Sequence, residues 1–109
     1  MNARLPTHLL VAALLRRVND VGGIAVIRAR GDADAGAILV VLERDERIVE
    51  RAIGMDGGDM LVRSGPAAGS GESLDDYWAR RRARDPDLWI VALDVADGER
   101  FAAETIIGN

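Results

Sequence analysis

The sequence predicts a single α+β domain in which a mainly antiparallel sheet of about five strands packs against two or three helices. Three observations carry that expectation. The chain has 109 residues, enough for one hydrophobic core but not for two. Five short segments rich in β-branched or aliphatic residues stand between turn-forming clusters. Two longer segments carry helix signals, one by apolar spacing and one by its cap.

Taken in order, Thr7 is placed to cap a first helix, and Leu10, Leu14, Val18 and Val21 recur at helical spacing until Gly22 and Gly23 stop the pattern. That helix runs over about 7–21. "IAVIRAR" (24–30) reads as a strand, and "AILVVLER" (37–44), apolar at consecutive positions, reads as a central strand covered on both faces. "RIVERAI" (47–53) follows a tight turn at Asp45–Glu46, and "DMLVRS" (59–64) follows "GMDGGD", so the strands read as a meander. "GPAAGSGE" (65–72) has the composition of a flexible loop. Ser73 with Asp76 forms a capping box that opens a helix over 73–84, which Pro86 ends. In "DLWIVALDV" (87–95) apolar residues fall on both faces, which predicts a central fifth strand. For "ERFAAETII" helix and hairpin arm both stand, with Ala102, Ala103 and Glu104 favouring helix.

Composition excludes several chemistries. A net charge of -4 disfavours general nucleic-acid binding, because such affinity comes from neutralising phosphates. With no cysteine there is no disulfide, thiolate nucleophile or Cys-ligated metal. All 14 basic residues are arginine, so a Schiff base or a phosphate-loop lysine is excluded too. The apolar run Leu9–Leu15 is too short for a membrane span, and Arg16 and Arg17 stand where a signal peptide would carry small residues. The expected location is the cytoplasm, with no cofactor, no metal and no membrane contact.

Two stretches merit weighing as sites. In "RGDADAGAILVVLERD" (30–45), Asp32, Asp34 and Glu43 fall at positions one, three and twelve of a calcium loop, but Gly36 stands at five and Ala37 at six. Glu43 would also lie roughly 20 Å along a strand. The reading that fits is a turn in which the aspartates bond to nearby backbone and Gly31 and Gly36 supply unusual backbone geometry. In "YWARRRARDPDLW" (77–89), Arg80, Arg81, Arg82 and Arg84 cluster beside Tyr77, Trp78 and Trp89, a pairing suited to phosphate and base recognition. The plainer reading has Leu74, Tyr77 and Trp78 in the core, Asp76 paired with Arg80, and the arginines complementing the helix dipole.

Other candidates are weaker. His8 is the only histidine and has no second ligand of its kind or of cysteine, which leaves it a capping or surface role. Ser64, Ser70 and Ser73 lack a nucleophile elbow.

"VAALLRR", "RGDADAGAILVVL" in the expected first hairpin, and "ARRRARDPDLWIVALD" together resemble the small bacterial family known as domain of unknown function 1491. "DPDLW" is the most distinctive part. The chain departs from the family between 52 and 72, where a longer and more proline-rich connection is usual. The resemblance implies a compact α+β protein of the bacterial cytoplasm and brings no activity, cofactor or catalytic residue. With no acid, base and nucleophile set, the expectation is a non-catalytic protein-binding or adaptor module using Asp32, Asp34, Arg80, Arg81, Arg82 and Arg84. Nucleic-acid or nucleotide binding through the Arg80–Arg84 face is the alternative, and a metal-dependent hydrolase using Asp32 and Asp34 is a third. The oligomeric state is open.

Overall fold

A computed structural model describes residues 5–108. Helix α1 (Thr7–Asp20) leads into β1 (Ile24–Ala29), then β2 (Ile38–Leu42), β3 (Arg47–Ile53) and β4 (Asp59–Ser64). Helix α2 (Leu74–Arg84) returns the chain to β5 (Trp89–Asp94), and α3 (Gly98–Ala102) continues as a π-helical turn over Ala103–Ile107. The result is an α+β fold with a mostly antiparallel sheet. Among the described residues no helix is long and apolar enough to cross a membrane.

The strand order is β1-β5-β2-β3-β4, which corrects the expected first hairpin. β1 and β2 do not pair. β5 inserts between them, antiparallel to β1 and parallel to β2, with Val40 opposite Val91. The physical reason lies in the sequence of β5: Trp89–Leu93 is buried on both faces, so it stabilises most in the middle of the sheet. β2, β3 and β4 do form the antiparallel meander. The ambiguous tail is helical.

Because paired residues share a face, the two faces can be read from the register. On one, Ile38, Val40, Leu42, Val49, Trp89, Val91 and Leu93 meet Leu10, Val11, Leu14 and Val18 of α1 with Phe101, Ala102 and Ile106 behind them. On the other, Leu39, Val41, Ile48, Ile90 and Ala92 lie under Leu74, Tyr77 and Trp78 of α2. Val40, Val41, Ile90 and Val91 therefore lie at the centre of the sheet.

Thr7 is not the cap of α1. Pro6 occupies that position, and the first-turn donors are satisfied by another part of the chain: Thr7 and His8 donate their backbone N–H groups to Asp34 and Ala33 carbonyls. The Thr7 hydroxyl donates to the Gly36 carbonyl at 2.7 Å. Ser73 does cap α2, its Oγ accepting from the Asp76 N–H at 3.0 Å, which is the serine half of the expected box.

Candidate functional site

The 30–37 loop is a clamp joining α1, β5 and α2. The Asp32 carboxylate accepts from the backbone N–H of Asp34 at 3.2 Å and of Ala35 at 2.8 Å, the turn that short aspartate side chains favour. The Asp32 backbone donates to the Asp87 carbonyl and receives the Trp89 indole N–H at 2.7 Å. A Cβ on Gly31 or Gly36 would collide with the Asp87 carbonyl, so both glycines serve close backbone approach. This packing explains why "RGDADAG" and "DPDLW" belong together. Asp34 keeps its carboxylate exposed, and the ring Nδ1 of His8 lies 3.0 Å from the Ala33 carbonyl.

The four arginines of α2 separate into different roles. Arg80 makes a two-point ion pair with Glu72, both bonds at 3.0 Å, which replaces the expected pairing with Asp76. Glu72 precedes the helix and sits within reach of its exposed face. Arg81 makes a two-point pair with Glu50 on β3, at 2.5 and 3.1 Å, and its Nη1 also donates to the Tyr77 hydroxyl. Arg82 donates to the Arg30 carbonyl at 2.8 Å and so ties α2 to the clamp loop. Arg84 is exposed in the last turn.

The Glu50–Arg81 pair is the strongest electrostatic element of the α2 face. Burial pushes the Glu50 carboxyl upward, but the Arg81 hydrogen bonds, the nearby Ser64 hydroxyl and the Arg81 charge outweigh it and hold the carboxyl below its usual range. Glu50 raises the affinity of Arg81 for its proton in turn. Neither residue's role is readable from local spacing, because 31 positions separate them.

Around the end of the sheet where β2 begins lies a pocket of about 370 Å³ lined by Leu5, Leu10, Ala35, Ala37, Ile38 and Ile106, with Asp34, Glu50 and Arg51 among its polar residues. β3 continues past this point. Its register with β2 ends at Leu39 opposite Glu50, while Arg51, Ala52 and Ile53 pair only with Leu61, Met60 and Asp59 of β4. The two strands thus project as an arm with Ile53 76% exposed, Met60 half exposed and Met55 fully exposed at the tip. Leu5 and Leu9, at the adjoining start of α1, are also exposed. Sequence reasoning missed this region, although Met55 in "GMDGGD" was a signal: a turn that needs only glycine and aspartate also carries methionine.

A second, more polar pocket of about 220 Å³ opens beside α2, where Arg28, Glu43, Glu46, Asp75 and Trp78 surround Val41 and Ala92. Arg28 pairs with Glu43 at 3.3 Å, and the Trp78 indole donates to Asp75 at 3.0 Å. Among the described residues no three His, Asp or Glu side chains gather as a metal site requires.

The family model described as protein of unknown function DUF1491 matches residues 5–103. A crystal structure of a DUF1491 family protein from Caulobacter crescentus superposes with a TM-score of 0.75 at 35% identity, covering 90% of this chain and 94% of that one. An NMR structure of a DUF1491 family protein from the same organism gives 0.71 at 36% identity, covering 92% and 94%. A protein from A. tumefaciens, solved in solution, gives 0.60 at 30% identity over 87% and 89%. No curated protein matches.

Proposed function

This chain belongs to the DUF1491 family, and we propose that it acts as a small non-catalytic protein-binding module. The observation that carries this reading is the end of the sheet where β2 begins, at which an apolar pocket adjoins an arm with exposed Ile53 and Met55. Exposed apolar surface gathered in one place, rimmed by charge, is the signature of a surface that another protein covers. Asp34 on the pocket rim and Arg84 at the end of α2 remain as charges a partner would meet.

The alternative of nucleic-acid binding loses much of its basis, since Arg80 and Arg81 are committed to Glu72 and Glu50 and the net charge is -4. A phosphate would have to displace a two-point carboxylate contact to reach either guanidinium. For a hydrolase using Asp32 and Asp34, the Asp32 carboxylate would have to give up the two backbone N–H groups it accepts.

The test is a tagged pull-down of the full chain from a lysate, divided so that one half is treated with nuclease. Wild type and Ile53→Asp are compared by mass spectrometry. A protein partner that survives nuclease and is lost with Ile53→Asp is the expected result. Co-purification that collapses under nuclease, with oligonucleotide affinity falling steeply in salt, overturns the reading in favour of the arginine face.

A further inference from the structure

The two outer strands of the sheet are guarded unequally. An edge strand leaves alternate backbone N–H and C=O groups unpaired along its outer side, and charged side chains or bulges ordinarily keep other chains off it. β4 carries Asp59 and Arg63, both in ion pairs, and its Leu61 packs in one cluster with Ile106 and Ile107 of the π-helical turn. β1 pairs with β5 alone, and its first four residues, Ile24–Ile27, include no charge, proline or glycine. Its bulge and its arginine both fall at the far end, at Arg28. Ile24 and Val26 point to the α2 face, since Val26 lies opposite Ala92, and there Ile24 is 60% and Val26 39% exposed. α2 packs over residues of β2, β3 and β5 and leaves this strip of the sheet bare. The strip leads into the pocket of about 220 Å³ beside α2: Val26, Ala92 and Val41 are neighbours in a row across the sheet, and the last two line the pocket. Glu43, Glu46 and Asp75 surround it with a single guanidinium, that of Arg28. Arg28 is taken up by Glu43 at 3.3 Å and Asp75 accepts the Trp78 indole N–H, so among the described residues Glu46 and Asp75 carry charges with no ion-pair partner.

We infer that β1 takes up an extended basic segment of a partner protein as a sixth strand, with a lysine or arginine of that segment laid across Val26 so that its charge enters the pocket beside α2. This goes beyond the binding-module reading above, whose surface is the pocket and arm at the end of β3. Edge, strip and pocket together select the occupant. The bare edge supplies main-chain hydrogen bonds, which give strand addition its affinity, while pockets for side chains give it selectivity. A sixth strand lies about 5 Å outside β1, so a side chain on its α2 face has to cross Val26 to reach the carboxylates. An aliphatic stem that ends in a cation suits that path, since the stem covers Ile24 and Val26 while the head meets Glu46 and Asp75. An acidic segment would bring like charge to the same pocket.

An NMR titration of the isotope-labelled full chain tests the site, with an eight-residue peptide of alternating valine and lysine as the probe and its valine and glutamate counterpart as the control. The lysine peptide is expected to shift the amides of 24–29 and the Trp78 indole N–H with a Kd below about 1 mM, the weak end of specific association. The glutamate peptide is expected not to bind. Glu46→Gln changes one exposed side chain and is expected to weaken binding about two- to fivefold, as loss of one exposed charge pair does. Val26→Lys gives the edge the charge it lacks and is expected to abolish the shifts. A further version of the lysine peptide leaves the protein untouched: N-methylated at every residue, it keeps its charges but has no N–H to donate to a strand, and its binding is expected to be lost. No shifts up to about 1 mM peptide, equal binding by the glutamate peptide, or full binding by the N-methylated one overturns the inference. Shifts scattered over other acidic residues overturn it as well. None of these results bears on the pull-down with Ile53→Asp, so the two surfaces stand or fall separately.

Discussion

The two faces of the sheet present similar aliphatic residues, and the chain covers them by different means. On the α1 face, Leu14 and Val18 are fully buried and Leu10 and Val11 nearly so, and the packing continues through Phe101 and Ile106. On the α2 face, no residue of the helix is fully buried: Leu39, Val41, Ile48 and Ile90 are themselves buried, but Leu74, Tyr77 and Trp78, which pack over them, stay partly exposed. What α2 lacks in burial it makes up with directed polar contacts, from Arg81 to Glu50, from Arg82 to the Arg30 carbonyl, and from the Ser73 cap to its own first turn. Burial is non-directional and strong, about 1.5–3 kcal/mol for each large side chain. Directed contacts are individually smaller but fix where the helix lies. The first face holds the fold together, and the second sets the position of one helix upon it.

If that division is right, the largest loss comes from the α1 face. Leu14→Ala removes a side chain that has no exposed surface and leaves a cavity between helix and sheet. The expected cost is about 2–5 kcal/mol of unfolding free energy in a denaturant titration. A loss below about 1 kcal/mol would mean that α1 repacks freely and that the two faces do not differ in the way described.

The next effect lies on the other face. Glu50→Gln keeps the shape but removes the charge that Arg81 engages at two points, and is expected to cost about 1–3 kcal/mol at neutral pH, since both partners are only partly buried. Its pH dependence distinguishes this loss from a packing defect. The Glu50 carboxyl in the folded chain lies below its ordinary value near 4.5, so its contribution is present above that value and disappears as pH falls through the folded-state value. The gap between wild type and Glu50→Gln should therefore close in acid below about pH 4.5. A gap that stays constant down to the acid transition would show that the charge is not what holds the pair.

The contrast also explains what could be read from the sequence. Elements governed by neighbours in the chain were legible: the span of β3 and of β4, the Ser73 cap of α2, and the aspartate turn at Asp32. The two-sided apolar run of β5 even marked it as central. What stayed hidden depended on partners distant in sequence. β5 enters between β1 and β2, and no local pattern records that insertion. Thr7 has the composition of a cap, yet its hydroxyl reaches Gly36 instead, 29 positions away. Arg81 reads as one of four equal charges on a helix face until β3 brings Glu50 to it. The pocket end was invisible for the same reason, since it is assembled from the start of α1, the clamp loop, β3 and the π-helical turn.

The smallest change sharpens the comparison most. Ser73→Ala deletes the one side-chain cap of α2, worth about 1 kcal/mol, and touches neither core cluster. Were the two faces one cooperative unit, that loss would appear equally in every slowly exchanging amide. Because α2 buries no residue fully while α1 buries several, the expected outcome is uneven. Amide exchange over 74–84 should accelerate about fivefold, whereas the amides of Leu14 and Val18 keep their wild-type protection, as expected when a peripheral element opens by itself beneath the global unfolding barrier. Equal acceleration in α1 and α2 would instead tie the helix into the main core, and the ion pair to Glu50 would then count as part of the structure that unfolds last.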